Sequence, residues 1–464
     1  MTIQQLYDIY LRHPSIRTDT RQLKQGDLFF ALKGPNFNGN AFATRAFELG
    51  AAYAIIDEAP DQSSDRLIVV PDVLSTLQEL ALHHRRQFNI PFIAITGSNG
   101  KTTTKELIHA TLSSTYTTYT TQGNLNNHIG IPLTILSVQK DAQFAVIEMG
   151  ANHQKEIEAY CRYTLPTHGI ITNVGKAHLE GFGGPEGVKK GKGELYDFLR
   201  STQVPAIGSA ASPGHTGTAF VLKDSADLTQ MSRGIPHLIT YGTHDADITG
   251  VIATPQQAPA GSPSSALLKV DITHGAATGP IQTQLVGDYN LPNVLVAVAV
   301  GRHFGVPDTA IRQAIEEYAP SNSRSQLIER DGLHIILDAY NANPSSMRAA
   351  IENFARLPIP GATAQPADPD SPGAPASRKV LILGAMAELG PESLAEHQGI
   401  IDLIGQYAWQ QVVLVGGDFR HLSHPYLSFA NSKEAGRWLA GVGLKDSYLL
   451  IKGSRSMKME EVLG

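Results

Sequence analysis

Phe92-Ile-Ala-Ile-Thr-Gly-Ser-Asn-Gly-Lys-Thr-Thr-Thr-Lys-Glu106 couples a short apolar run to a glycine-rich turn and the start of a helix. Phe92 to Ile95 read as a buried parallel strand, Gly97 and Gly100 permit a tight turn, and Lys101-Thr102 opens an amphipathic helix through Leu107 and Leu112. This is the form of a phosphate-binding loop. Backbone N–H groups from Gly97, Ser98, Asn99 and Gly100 to the helix start at Lys101, Thr102 and Thr103 are expected to hold the phosphates of ATP. Lys101 then offers positive charge to the β- and γ-phosphates, and the Thr102 hydroxyl is an oxygen ligand for Mg²⁺. The loop is the short form G-x-x-G-K-T; Ile95 stands where the longer G-x-x-x-x-G-K-[ST] pattern places its first glycine. Lys-Thr after the second glycine, between strand and helix, argues against an ordinary glycine turn.

Outward from the loop, residues 90–318 alternate strands and helices, which predicts a parallel sheet with helices on both faces and nucleotide at the strand C-termini. Phe144 to Ile147 is a strand ending at Glu148, and Gly169 to Thr172 one leading to His178. Both side chains could reach an Mg²⁺ beside the loop. Imidazole suits so hard a cation poorly, so chemistry alone leaves Glu148 open between ligand and structural carboxylate and favours a polar loop role for His178. Gly191-Lys192-Gly-Glu194 reads as turn and solvent. Gln122 to Leu133 carries Asn124, Asn126 and Asn127, either an amide-rich loop suited to a polar substrate or a set of asparagine turns. Asn290 and Asn293, three apart before the apolar helix Val294 to Val300, could face one ligand edge, with helix capping the favoured reading. Ala206 to His215 and Gln256 to Ser265 read as surface loops without chemistry.

Residues 1–89 read as a small α/β domain with strands at Leu28 to Leu32, Tyr53 to Ile56 and Leu67 to Val70, a helix over Phe42 to Leu49, and a last helix from Asp72 towards Phe88. Thr18-Asp19-Thr20-Arg21 and Gly26 to Gly34 suit a nucleotide diphosphate, though spacing alone favours solvated turn chemistry. Residues 319–464 form a second α/β unit with strands at His334 to Leu337, Lys379 to Leu383, Val412 to Val415 and Tyr448 to Ile451, a doubly wound, Rossmann-like pattern. Asp338-Ala-Tyr340-Asn341-Ala-Asn343 follows its first strand, where ligand groups belong in such a fold. Gly361 to Ser377, rich in Pro, Ala, Gly and Asp, reads as a flexible insertion.

Composition sets the bounds. A chain of 464 residues is expected to form about three domains. A formal net charge of -6 and a pI near 6.3 give no electrostatic reason to expect nucleic acid. Cys161 is the only cysteine, so no internal disulfide forms and a reducing cytoplasm is the expected compartment. The first residues lack the basic start and apolar stretch of a signal peptide, and no apolar run reaches the roughly 18 residues of a membrane span.

Taken together, the motifs resemble the Mur ligase family over essentially the whole chain. Thr96 to Thr103 is similar to the short loop that the Mur ligases share with folylpolyglutamate synthase. Thr18 to Arg21 with Gly26 to Leu32 resembles the family's uridine-nucleotide-binding domain, which folylpolyglutamate synthase is expected to lack. Gly123 to Pro132, Asp338 to Pro344, Leu383 to Gly390 and Lys452 to Lys458 resemble the branch that adds D-alanyl-D-alanine, and the Asp-Asn-Pro-Arg run of diaminopimelate-adding ligases is absent. The resemblance implies an ATP-dependent amide ligase joining D-alanyl-D-alanine to UDP-N-acetylmuramoyl-tripeptide through an acyl phosphate, in peptidoglycan synthesis, as a monomer. It implies two Mg²⁺ sites served by Thr102, Glu148, His178 and a carbamylated Lys192. It places Asn290 and Asn293 beside adenine, Asp338 near the ribose and Arg324 by the phosphates. By the same resemblance, Thr18 to Arg21 with Asn124, Asn126 and Asn127 face the UDP substrate, and Tyr340, Asn341 and Asn343 the dipeptide. Tyr289 departs from the family, where a histidine is common. A switch-type NTPase, the other class considered, would use neither the Asn-rich loop nor the C-terminal sheet.

Overall fold

The computed structural model describes residues 1–59, 64–201, 217–253, 267–321, 323–358 and 378–464. The three stretches read as loops or insertion (206–215, 256–265 and 361–377) lie outside the described residues. In the N-terminal part the order is α1 (Ile3–Arg12), β1 (Ile16–Arg17), β2 (Leu28–Phe30), β3 (Lys33–Gly34), β4 (Phe37–Asn38), α2 (Ala43–Glu48), β5 (Tyr53–Ile56), β6 (Leu67–Val69) and α3 (Val73–Arg85). β1, β2, β5 and β6 form a parallel four-stranded sheet. Thr2 and Gln5 close a capping box on α1, and Asp72 caps α3 by accepting from Ser75 N–H. The segment read as one helix over Phe42 to Leu49 is a 3-10 turn, Gly39–Phe42, running into the shorter α2.

The central part runs β7 (Phe92–Thr96), α4 (Lys101–Ser113), β8 (Thr118–Thr120), α5 (Gly130–Ser137), β9 (Phe144–Glu148), α6 (Glu156–Thr164), β10 (His168–Ile171), α7 (Leu179–Phe182), α8 (Pro185–Arg200), β11 (Thr218–Leu222), α9 (Ala226–Met231), β12 (His237–Gly242), β13 (Ile248–Ile252), β14 (Leu267–His274), β15 (Ile281–Val286), α10 (Leu291–His303) and α11 (Asp308–Glu317). Among the described residues its nine strands lie in the order β15-β14-β13-β12-β11-β10-β7-β9-β8. β7 is buried along its whole length, as a strand covered on both faces must be. Ile93 and Ile95 pack with α4, α10 and α11, while Phe92 and Ala94 share the opposite layer with α5, α6 and α8. From Val294 to Gly301 α10 lies wholly in that core, which is why that stretch is apolar all round. Cys161 is buried in α6, and burial pushes its thiol pKa up, leaving a structural thiol.

The sheet is not parallel throughout: β14 pairs antiparallel with both β13 and β15. The reason is the connection, since the six residues between β14 and β15 are too few for the crossover that parallel neighbours need. The alternating burial of Ile281-Gln-Thr-Gln-Leu285 is the sequence mark of such a half-exposed strand.

The C-terminal part comprises β16 (Gln326–Arg330), β17 (Leu333–Asp338), α12 (Pro344–Arg356), β18 (Lys379–Gly384), α13 (Ser393–Ile404), β19 (Gln411–Val415), β20 (Leu427–Phe429), α14 (Ser432–Val442) and β21 (Tyr448–Lys452). Its sheet order is β16-β17-β21-β18-β19-β20, parallel except for the β16–β17 hairpin. That hairpin turns on Asp331-Gly332, both at positive φ (52° and 76°), the conformation an Asp-Gly hairpin turn requires. Leu381 and Leu383 face the layer holding α12 and α13, Val380 and Ile382 the layer holding α14. The strand ends carrying Asp338 and Lys452 therefore open towards the phosphate loop.

Candidate active site

The loop after β7 is shaped by its glycines. Gly97 sits at φ 141°, where a Cβ would lie 2.0 Å from Thr172 Oγ1, and Gly100 at φ 77° begins α4. Ser98 and Asn99 are fastened to the end of β10: Ser98 N–H donates to Asn173 O at 3.0 Å, Asn99 N–H to Asn173 Oδ1 at 3.0 Å, and Thr172 Oγ1 to Asn99 O at 2.6 Å. Lys101 Nζ donates to Gly97 O at 2.8 Å, so the amine lies folded over the loop. Burial lowers its pKa, against the opposing pull of the Glu148 carboxylate.

Glu148, at the end of β9, is 1% exposed and held at both oxygens. Thr102 Oγ1 donates to Oε2 at 2.8 Å and Asn126 Nδ2 to Oε1 at 2.8 Å. The amide-rich loop thus reaches the carboxylate beside the phosphate loop, and Asn124, Asn126 and Asn127 all line one cavity with it.

Asn290 and Asn293 do not cap α10. Their amides form a chain instead: Thr104 Oγ1 donates to Asn293 Oδ1 (3.0 Å), Asn293 Nδ2 to Asn290 Oδ1 (2.8 Å), and Asn290 Nδ2 to Val286 O (2.9 Å). Capping is the wrong reading because the helix entry is a 3-10 turn that leaves both side chains pointing at the core and the cavity, not at free N–H groups. Tyr289 beside them is half-buried, with its hydroxyl 3.1 Å from Ser325 Oγ.

From the C-terminal sheet, Asp338 accepts from Lys452 Nζ (2.5 Å) and from Ser325 N–H (3.2 Å). Arg324 lies between Ser323 and Ser325, both at positive φ, and its guanidinium carbon is 3.6 Å from the centre of the Tyr340 ring. Asn341 Oδ1 accepts from Ala342 N–H. Asn343 caps α12 by accepting from Ser346 N–H (2.9 Å), and its Nδ2 donates to Asn99 Oδ1 of the phosphate loop (2.7 Å). Its amide is engaged there, between helix and loop.

Lys192 departs most from the sequence reading. Gly191 to Glu194 is neither turn nor solvent: it lies inside α8, and Lys192 is fully buried. Gly191 is needed because a Cβ there would stand 2.4 Å from the ring of Phe182. Lys192 Nζ donates to Ala151 O at 3.1 Å, and burial, with the nearby charge of Lys101, holds its pKa well below the ordinary lysine value. Glu194 serves α6, accepting from Lys155 and Glu158 N–H groups. His178 stands at φ 52° in the loop just before α7, its side chain 19% exposed, with Nδ1 2.5 Å from Glu388 Oε2. The two atoms approach closely without hydrogen-bond alignment, and the contact lowers the Glu388 pKa.

These groups meet in a cavity of about 1010 Å³. Ser98 to Thr103, Glu148, His178, Asn290, Asn293, Arg324, Asp338, Tyr340, Asn341 and Asn343 all line it; Gly97 and Lys192 lie behind the wall. Thr18 to Arg21 are not brought to it. Asp19 caps a short 3-10 turn and binds the exposed Arg21 guanidinium at 2.6 Å, whose hydrogen bonds lower its pKa to about 2. Among the described residues, no three His, Cys, Asp or Glu side chains gather to hold a metal. Sequence reasoning gave no role to Lys452, Glu388 or Asn173; Asn173 stood in the stretch after β10, and Lys452 and Glu388 in motifs quoted for the resemblance.

Three family models match the chain in succession: the Mur ligase family catalytic domain over residues 14–93, the Mur ligase middle domain over 95–301, and the Mur ligase glutamate ligase domain over 323–455. The UDP-N-acetylmuramoyl-tripeptide–D-alanyl-D-alanine ligase of Bacillus subtilis is 31% identical, the match covering 97% of this chain and 92% of that protein. This chain belongs to the Mur ligase family. The ligase of the same description from Escherichia coli is 31% identical over 100% of this Mur ligase and 97% of its own length. Among solved structures, MurF from Acinetobacter baumannii superposes with a TM-score of 0.81 at 28% identity, covering 100% of this chain and 97% of that one. MurF ligase from Thermotoga maritima in complex with ADP gives a TM-score of 0.79 at 25% identity over 98% and 97%. Among the described residues no helix is long and apolar enough to cross a membrane.

Proposed function

We propose that this Mur ligase joins D-alanyl-D-alanine to UDP-N-acetylmuramoyl-tripeptide at the expense of ATP, completing the pentapeptide precursor of peptidoglycan. One observation carries the reading: the phosphate loop, the amide-rich loop and the strand ends of the C-terminal sheet face a single cavity. We divide the chain into a UDP-substrate domain (1–89), an ATP domain (90–318) and a C-terminal domain (319–464). We place the reaction in the cytoplasm, with the monomer as the working unit.

The tripeptide carboxylate is a poor acyl donor until phosphorylated. Its attack on the γ-phosphorus of ATP gives an acyl phosphate and ADP; the dipeptide amine then displaces phosphate through a tetrahedral intermediate. Lys101 and the loop N–H groups offset and align the phosphate charge, with Arg324 adding to them. Asn290 and Asn293 are assigned to adenine and Asp338 to the ribose. Thr18 to Arg21, with Asn124, Asn126 and Asn127, are assigned to the UDP substrate. Tyr340 and Asn341 are assigned to the dipeptide, while Asn343 acts through Asn99.

The donor set beside the loop suits Mg²⁺. Thr102 and Glu148 offer adjacent oxygens, and an ion that keeps water and phosphate ligands needs few protein groups. Thr102 and Glu148 would hold the first ion; His178 and Lys192, once carbamylated, would serve the second. Magnesium would supply charge neutralisation at the phosphates. Lys192 as an amine is no oxygen ligand, but its burial favours the neutral form that adds CO₂, releasing a proton to leave a carboxylate-bearing nitrogen.

The test is phosphate release from ATP with the tripeptide substrate, with and without D-alanyl-D-alanine, reading the nucleotide product by mass. Release that needs both, with the pentapeptide mass appearing, supports the reaction. Release indifferent to both substrates points to a switch-type NTPase.

A further inference from the structure

The turn after β18, Ala385 to Gly390, overhangs the cavity through Ala387 and Glu388. It is fastened from beneath by a residue that does not line that cavity. His397 of α13 is fully buried; its Nε2 accepts from Met386 N–H at 3.0 Å and its Nδ1 donates to Ser393 O at 2.7 Å. The ring of Phe419 meets it edge-on at 4.7 Å. Accepting at one nitrogen and donating at the other fixes the neutral tautomer with its proton on Nδ1. The turn needs such an anchor, because Glu388 is held at φ 62°, a conformation that side chains other than glycine seldom adopt.

Across the cleft, the segment Lys176 to His178 is met by C-terminal groups at both ends. Lys176 N–H donates to Ser345 Oγ at 2.9 Å, Lys176 Nζ to Glu396 Oε1 at 2.5 Å, and His178 Nδ1 lies 2.5 Å from Glu388 Oε2. Glu396 and His397 are neighbours on α13, so one helix both grips this segment and sets the turn that carries Glu388. With Nδ1 facing Glu388, Nε2 is the nitrogen left for the ligand side. A carboxylate on the far nitrogen is the usual device for fixing the orientation of a working histidine.

We propose that Glu388 is a positioning residue for His178, and that His397 sets Glu388 by anchoring its turn, so that the His178 ring is oriented only with the C-terminal sheet docked against the phosphate loop. This rests on the role given to His178 above. Docking and chemistry are thereby coupled through a side chain that the C-terminal domain supplies.

The experiment is a double-mutant cycle in the full chain, Glu388→Gln and His397→Phe alone and together, assayed with ATP and both organic substrates. Each single variant is expected to lower kcat by about 10–100-fold with little change in the KM for ATP. The double variant is expected to be no worse than Glu388→Gln alone, because both act on one contact. His397→Gln, which keeps an acceptor for Met386 N–H, is expected to recover most of the rate; it also serves if the phenylalanine variant fails to fold. In parallel, the histidine-ring nitrogen signal of the ligand-free protein that vanishes in His178→Gln is expected to shift in Glu388→Gln and in His397→Phe. Additive losses of rate, or a His178 signal that neither change moves, would overturn the proposal. The ring signal is read without substrates, so it decides the positioning claim even if wild type shows no turnover, an outcome that would count against the proposed reaction instead.

Discussion

Three lysines carry the same amine into surroundings that give it different work. Lys101, half-buried at the start of α4, lies on the carbonyl of Gly97 and is available to a phosphate. Lys101→Ala is expected to lower kcat by at least about 100-fold, while stability changes by no more than about 0.5 kcal/mol because no core contact is lost; substantial ligase activity in this variant would sink the role. Lys192 is fully buried, and burial holds its pKa well below the ordinary lysine value, the condition that the proposed carbamylation requires. Native protein in isotope-labelled bicarbonate is expected to show a carbamate carbon signal that is missing in Lys192→Met, with ligase activity lost in that variant. Lys379, at the start of β18 and far from the strand ends that face the cavity, is held by burial at a pKa of about 8 against 10.5 for an ordinary lysine. Below pH 8 the folded and unfolded chains both carry its proton. Between these two values the unfolded chain alone keeps it, so stability rises with pH across the window, by up to about 3 kcal/mol. Unfolding midpoints from pH 7.5 to 10.5 are expected to rise more steeply in wild type than in Lys379→Met.

At the scale of elements, α8 shows how a pattern can mislead. Gly191 and Gly193 flank Lys192 and look like loop residues, yet Pro185 at the first turn and the buried spacing of Val188, Leu195 and Leu199 mark an amphipathic helix. The two glycines should separate on substitution. Alanine is favoured over glycine in a helix by about 1 kcal/mol. At Gly191 that gain meets a Cβ 2.4 Å from Phe182, a ring 1% exposed that has nowhere to go, and overpacking costs about 1–3 kcal/mol. Gly191→Ala is therefore expected to destabilise, whereas Gly193→Ala, whose Cβ meets only the flexible end of Met231 at 3.4 Å, is expected to stabilise by about 0.5–1 kcal/mol; denaturant midpoints of both decide it. The same contrast explains what was legible in the sequence. Strands buried on both faces, such as β7, β9, β18 and β21, announce themselves as unbroken apolar runs, and the phosphate loop by Gly-Lys-Thr after a strand. The β14–β15 extension and the β16–β17 hairpin were carried by weaker marks, alternation and one Asp-Gly pair. The bond of Thr104 to Asn293 and the Asn343 bridge to Asn99 join residues 189 and 244 positions apart, and no local pattern contains them.

At the scale of the molecule, the two outer parts are joined to the centre by different physics. α3 packs on α5 and α6 of the central part, and its last residue, Arg85, is 1% exposed. The Arg85 guanidinium donates to the carbonyls of Thr164, Phe88 and Leu165 at 2.9, 2.9 and 3.0 Å and lies 3.8 Å over the Phe92 ring. Tyr10 donates to Leu136 O, and His84 Nε2 lies 2.8 Å from Val138 O. Breaking such buried bonds leaves carbonyls unpaired, so Arg85→Met is expected to cost about 3 kcal/mol. The C-terminal part instead meets the centre through a few polar contacts: the hydrogen bonds of Asn343 to Asn99 and of Lys176 N–H to Ser345, and the rim pairs Lys176–Glu396 and His178–Glu388, where Lys176 and Glu388 are each 52% exposed. Pairs of that exposure are worth about 0–1 kcal/mol each. The C-terminal part is therefore the one expected to swing, opening the cleft to admit substrates and closing to bring the dipeptide amine to the acyl phosphate. Small-angle scattering is expected to show a smaller radius of gyration with an ATP analogue and both organic substrates than without them. Lys176→Met should move the ligand-free protein further towards the open form, since it removes a rim pair without touching the Arg85 anchor. Scattering curves that coincide with and without ligands would instead place the C-terminal part in the same rigid unit as α3, and the cleft would have to fill without a closing motion.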